Sequence, residues 1–125
     1  MRWATPVIHF RRTATADTTI AGQPIRAGEK VIVWYCSANR DESVFDAPER
    51  FDIGRTPNDH VGYGGPGPHF CHGAQLARRE ITVMFRELFR RLPDIEVTAE
   101  PDYLSSNFIN GIKHLPCEFT PSSAR

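Results

Sequence analysis

Residues 62–73 include five glycines and two prolines, whereas residues 74–92 include neither. Glycine and proline break helix and strand alike, so the first stretch cannot hold a regular element and nothing in the second stops one. In the second, Ala77, Ile81, Met84, Phe85, Leu88 and Leu92 recur mostly at spacings of three and four, which predicts one long helix over about 72–91 with that face buried. At about 100° per residue, Arg79, Thr82, Arg86 and Arg90 fall on the opposite side as a basic stripe. Pro93 ends the helix. A glycine loop thus delivers Cys71 to the mouth of a single amphipathic helix.

Elsewhere the sequence supplies short strands. An apolar run over 7–10, a hairpin of 18–20 with 23–25 about Ala21-Gly22, a turn at Arg26-Ala27-Gly28-Glu29 and a β-branched, aromatic strand over 30–35 occupy the first third. Residues 37–59 keep no period of 2 or 3.6 and read as an irregular packed loop, a kind of connection that is usually functional. After the helix, strands are expected over 95–97, 108–109 and 115–119, with Asn110-Gly111 as a hairpin turn and 121–125 as a loose end. The expected class is α+β, small antiparallel sheets plus one long helix after the cysteine loop. With 125 residues, a single domain over 1–125 is expected.

Fifteen Lys plus Arg balance fifteen Asp plus Glu, so no net charge steers the molecule to nucleic acid or an anionic membrane. No apolar stretch approaches the ~20 residues of a membrane span, and no apolar signal core follows Met1-Arg2-Trp3, so a cytoplasmic chain is expected. Cys36, Cys71 and Cys117 are odd in number and form no CxxC, which argues against a disulfide framework or a zinc ribbon. Cys36 and Cys117 lie in strand-like segments and are expected to pack. His9, His60 and His114 have no supporting constellation.

Cys71 is different. Glycines before it let backbone amides approach its sulfur, and a helix N-terminus after it carries partial positive charge; both favour thiolate over thiol. Four chemistries compete for it: an inert structural cysteine, a nucleophile with His60, His69 or His72 as base, a zinc ligand with His69 and His72, and the single axial thiolate of a haem. Zinc ligands normally come as spaced pairs, and a catalytic histidine is usually distant in sequence. Only haem uses the whole segment, with its bare glycine loop and its cations for two propionates.

The run Tyr63-Gly64-Gly65-Pro66-Gly67-Pro68-His69-Phe70-Cys71-His72-Gly73 resembles the cysteine loop of the cytochrome P450 family, and Ala74-Gln75-Leu76-Ala77-Arg78-Arg79-Glu80 resembles the start of its long proximal helix. Arg2-Trp3-Ala4-Thr5-Pro6 is similar to the end of the family's Glu-x-x-Arg helix, and Phe45-Asp46-Ala47-Pro48-Glu49-Arg50-Phe51 to its meander. Trp34-Tyr35-Cys36-Ser37-Ala38-Asn39-Arg40-Asp41 and Asn110-Gly111-Ile112-Lys113 resemble the actinobacterial branch that hydroxylates methyl-branched lipids and sterol side chains. Two positions depart from the pattern: Gly64 stands where an aromatic is usual, with Tyr63 one place earlier, and His72 stands where a small or apolar residue is usual.

The resemblance implies a haem-thiolate monooxygenase binding haem b (iron protoporphyrin IX) through Cys71. It implies that Gly64, Gly65, Gly67, Phe70 and Gly73 form the haem-facing loop, that His69 and Arg12 meet the propionates, and that Arg2 and Arg50 belong to a Glu-Arg-Arg structural cluster. Arg79, Arg86 and Arg90 become the docking face for a ferredoxin-like electron donor, and the substrate a lipid or sterol. Only the C-terminal third of the family's fold is covered, beginning at the arginine of Glu-x-x-Arg. The partner glutamate would precede residue 1, leaving Arg2 and Arg50 facing each other unneutralised, and the oxygen-activating distal helix is absent from these residues. The alternative to the enzyme is accordingly an inactive truncated remnant or a bare haem-binding module.

Overall fold

The computed structural model describes residues 1–121, so the last four residues of the expected loose end lie outside the described residues. The chain forms two compact units, Met1–Gly62 with Ser106–Asn110, and Tyr63–Ser105 with Gly111 onward.

In the first unit, β1 (His9–Thr13) pairs antiparallel with β4 (Lys30–Trp34), in register from His9↔Trp34 to Thr13↔Lys30. Between them lies the hairpin β2 (Thr18–Ile20) and β3 (Gln23–Ile25). Ala21 and Gly22 both take positive φ, 49° and 82°, the handedness that a two-residue hairpin turn requires. The strand expected over 7–10 is displaced. β4 fixes β1 at His9–Thr13, while Val7 makes a lone bridge to Ile109, and the Ile8 amide donates to the Phe108 carbonyl at 2.9 Å.

Tyr35 was expected to end the strand that is β4, but it opens a single helical turn, α1 (Tyr35–Ala38), which takes Cys36 off the strand as well. The ladder has run out there, and the Ile8 carbonyl accepts the amides of both Tyr35 (2.9 Å) and Cys36 (3.4 Å), which bends the chain.

The irregular loop after α1 packs around a polar centre. Phe45, Pro48 and Tyr35 are buried with Arg2, Thr5 and Asn39. Arg2, only 5% exposed, donates from Nη1 to the carbonyls of Asn39 (2.7 Å) and Pro48 (2.9 Å) and from Nη2 to that of Arg50 (3.4 Å), its guanidinium lying 5.0 Å from the Phe45 ring centre. Arg55 grips the carbonyls of Asp46 and Ala47 in the same turn, at 2.7 and 3.1 Å.

The second unit holds α2 (Ala74–Arg91), starting two residues later than the sequence period suggests. The Cys71 carbonyl takes the Ala74 amide at 3.1 Å and the Gly73 carbonyl the Ala77 amide at 2.8 Å, so residues 72 and 73 form the lead-in turn. Leu92, whose amide still reaches the Leu88 carbonyl, caps the end before Pro93. Two short pairs follow: β5 (Glu96–Val97) with β8 (Cys117–Glu118), and β6 (Asp102–Tyr103) with β7 (Ile112–His114). All sheets among the described residues are two-stranded and antiparallel.

Four expectations fail here. Asn110-Gly111 is not a hairpin turn and 108–109 is not a strand. Instead the Asn110 amide and side chain bond the carbonyls of Pro6 and Ala4, while the Gly111 carbonyl accepts from Leu104. Cys117 sits on β8 but is exposed rather than packed. The apolar face of α2, expected to be buried, is open: Met84 is 66% and Phe85 51% exposed, and Ala74 alone is buried on the helix.

Candidate functional site

Cys71 lies in the loop just before α2, as its sequence context requires. Its amide donates to the Tyr63 carbonyl at 2.9 Å, which closes residues 63–71 into a loop, and within it the Phe70 amide reaches the Gly67 carbonyl at 3.1 Å. Gly64 and Gly67 take φ of 85° and 121°, conformations that strain any residue with a Cβ. Gly65 has neither a positive φ nor any protein atom within 4 Å of where a Cβ would stand. The Cys71 thiol is exposed, and Phe70 is 40% exposed beside it. A Cβ on Gly73 would come within 3.9 Å of Sγ. Cys71 thus sits three residues ahead of the first residue of α2, in an exposed position.

The second unit therefore brings together Cys71, His69, Gly64, Gly65, Gly67, Phe70 and Gly73 on one loop, with His69 and His72 both exposed. Below the loop the Arg78 guanidinium stacks 4.7 Å from the centre of the buried Tyr63 ring, a contact that the helical period could not reveal. Among the described residues, no group of three His, Cys, Asp or Glu is placed to hold a metal ion.

Arg12 belongs to the first unit, on β1, where its Nη1 donates to the Arg11 carbonyl at 3.0 Å and its guanidinium lies over Phe10. Arg2 and Arg50 do meet, but through the Arg50 carbonyl; the Arg50 side chain is exposed. Arg2 is thus satisfied by backbone oxygens rather than opposed by Arg50. Burial first, then the charges of Arg55 and Arg40, pull its pKa below the ordinary guanidinium value, with Glu49 acting the other way.

On α2, Arg78, Arg79 and Arg86 line a cleft of about 460 Å³ with Gln75, Thr82 and Val83. Arg90 leaves the stripe. It bonds Glu87 through both Nε and Nη2 (3.2 and 2.8 Å), and Arg91 joins at 3.3 Å, which holds the Glu87 carboxyl below its usual range.

Three placements escaped the sequence. Asn39 is 0% exposed and bonded to Arg2, Thr5 and Val61, although nothing in its neighbourhood signals burial. Arg55 lies just after the segment 45–51 and its partners are carbonyls of that segment. His9 stacks on Trp34 (4.9 Å) and meets Phe108 edge-on (5.8 Å), with its Nδ1 buried and unbonded.

The family model for Cytochrome P450 matches residues 1–107. A methyl-branched lipid omega-hydroxylase of Mycobacterium tuberculosis (strain H37Rv) is 58% identical over 116 residues, covering 93% of this chain and 27% of that protein. A steroid C26-monooxygenase of Rhodococcus jostii (strain RHA1) is 48% identical over 123 residues, covering 98% and 26%. A solved Mycobacterium marinum cytochrome P450 in complex with pseudoionone superposes with a TM-score of 0.90 at 54% identity, over 94% of this chain and 28% of that one. The chain spans about a quarter of the length of the curated relatives it matches. No helix of the described residues is long and apolar enough to cross a membrane. With a matching family model over most of its length and a cysteine loop set at the head of its one long helix, the chain belongs to the cytochrome P450 family.

Proposed function

We propose that this chain is the thiolate side of a haem monooxygenase, with Cys71 as the axial ligand of haem b, and that the whole protein hydroxylates a lipid-like or sterol side-chain substrate using O₂ and two electrons. The observation that carries the reading is Gly65. Neither backbone strain nor any neighbour in this chain calls for a glycine there, whereas a flat group laid against the loop does. The exposed Cys71 thiol ends the same loop, so ligand and bare backbone occur together.

A haem held by a thiolate supplies O–O bond cleavage, which electron donation from the sulfur favours. The chain's part is to hold it. Gly64, Gly65, Gly67, Phe70 and Gly73 would form the bare loop and Cys71 would hold the iron as thiolate, while His69 and, from the other unit, Arg12 are the cations that would answer the propionate carboxylates. Arg2 joins the meander to the rest of its unit, with Arg50 contributing its carbonyl. An acidic, ferredoxin-like donor docks on Arg79 and Arg86, to which Arg78 is now added; Arg90, occupied by Glu87, contributes least. The substrate class rests on the named relatives, and a cytoplasmic location is part of the same proposal.

The test joins this chain to the preceding part of the Mycobacterium tuberculosis relative, supplies haem, and records the reduced CO spectrum. A Soret band shifted to the red is expected, abolished by Cys71→Ser and kept in Cys36→Ser and Cys117→Ser; its loss in either control moves the ligand there. For residues 1–125 by themselves the open face of α2 favours the second reading, a bare haem-binding module without turnover. Hydroxylation of a branched-chain fatty acid by these residues alone, together with cooperative unfolding, would overturn that reading.

A further inference from the structure

Residues 60–62 lead directly into the cysteine loop, and they are held unusually closely. The Val61 amide donates to Asn39 Oδ1 at 2.9 Å, and the Gly62 amide to His60 Nδ1 at 3.1 Å. A Cβ on Gly62 would come 3.1 Å from that histidine nitrogen and 3.6 Å from the Met1 carbonyl, so a larger residue there would need the His60 ring to give by a few tenths of an ångström. Asn39 is the other side of this grip. It is 0% exposed, its Nδ2 donates to Thr5 Oγ1 at 3.0 Å, its carbonyl takes Arg2 Nη1 at 2.7 Å, and its own amide closes α1 onto the Tyr35 carbonyl. Thr5 adds a strained φ of 37° and a hydroxyl bonded to the Arg2 carbonyl. A buried primary amide with both ends used is expensive to place and is retained where its geometry matters.

We propose that Asn39 is a positioning residue for the thiolate ligand: it ties Val61, the entry to the cysteine loop, to the buried Arg2–Thr5 turn, and so limits how far residues 63–71 can wander. The bond to Val61 does the positioning; the bond to Thr5 only orients the amide. In its reference to a thiolate the proposal rests on the haem reading above.

The experiment compares Asn39→Ala, Asn39→Asp and Thr5→Ala in the 125-residue chain by amide hydrogen exchange at Val61 and Cys71, and by the CO spectrum after haem addition. Asn39→Ala removes both side-chain bonds, and loss of the one from Val61 should speed exchange about tenfold at Val61 and also at Cys71, and convert part of the red-shifted band to the unshifted, thiol-type band. Asn39→Asp keeps an acceptor for Val61 and should preserve both. Thr5→Ala should lower the unfolding midpoint yet leave Cys71 exchange unchanged. Faster exchange at Val61 without any at Cys71, or equal effects of Thr5→Ala and Asn39→Ala on Cys71, overturns the proposal, as does an unaltered band in Asn39→Ala. If Asn39→Ala does not fold, loss of Cys71 protection in Asn39→Asp overturns it instead. Absence of the red-shifted band in the unsubstituted chain would refute the haem reading, and the exchange arm would still decide the anchor.

Discussion

The two units are held together by different means. In the first, the buried centre is polar, and Arg2, Arg55 and Asn39 bond carbonyls and amides of the irregular loop. In the second, the longest element has one buried residue, Ala74, while Leu76, Met84, Phe85 and Phe89 stand in water. The first unit has a centre bonded from within, although Phe51 and Ile53 stand in water there too. The second has the elements of a core without the surfaces that would complete one, which fits a chain spanning about a quarter of its relatives' length.

The contrast is broken most directly at Arg2. Arg2→Met should cost about 3 kcal/mol, because it leaves buried carbonyls without their charged donor. Urea unfolding should register the loss, and exchange protection should fall across β1, β4 and the loop after α1 while α2 is unaffected. Equal loss in α2 would show that the units are not separately stabilised. Arg2→Lys should recover little, since an ammonium lacks the planar fork that reaches several carbonyls.

In the second unit the corresponding site is Ala74, 1% exposed. Ala74→Leu should destabilise by roughly 1–3 kcal/mol through overpacking, seen as loss of helical signal at lower denaturant. Met84→Glu should instead change stability by less than about 0.5 kcal/mol, because that side chain already stands in water. Its effect should appear as reduced light scattering at high concentration, since it interrupts an exposed apolar patch. A large destabilisation by Met84→Glu would restore the buried face that the sequence period suggests.

The smallest effect concerns pH. Hydrogen bonds from Arg90 and then Arg91 hold the Glu87 pKa below the ordinary carboxylate value. A depressed folded-state pKa contributes stability above the unfolded value, which is lost as pH falls through the folded one. Fraying of the last turn of α2 should therefore increase on acidification through and below the normal carboxylate range. Glu87→Gln and added salt should both remove this dependence, because the pair is solvent-exposed and screened. Circular dichroism across that range is the measurement.

What could be read from the sequence was local. The β2–β3 turn and the extent of α2 follow from residues within a few positions of one another, as does the place of Cys71 ahead of the helix. Val7 is tied to a distant partner, Ile109, which its local sequence does not mark, and β6 pairs with β7 in place of a hairpin about Asn110. Periodicity identified which residues of α2 form an apolar face but not whether anything covers them. The binding of Arg2 to carbonyls was illegible for a simpler reason. A backbone oxygen is offered by every residue, so nothing in the sequence marks Pro48 or Asn39 as its acceptor.

That mode of binding sets which positions are free to drift. Asp46 and Arg50 take part in the meander contacts through backbone oxygens, and both side chains point out to solvent. Substitution at either preserves the oxygen that the arginines bind, so these positions should accept a wide range of residues in a saturation library. Arg2 has no such latitude, because no other side chain offers a charged planar fork to three carbonyls. The tolerance of the turn and the intolerance of the arginine are two sides of one contact.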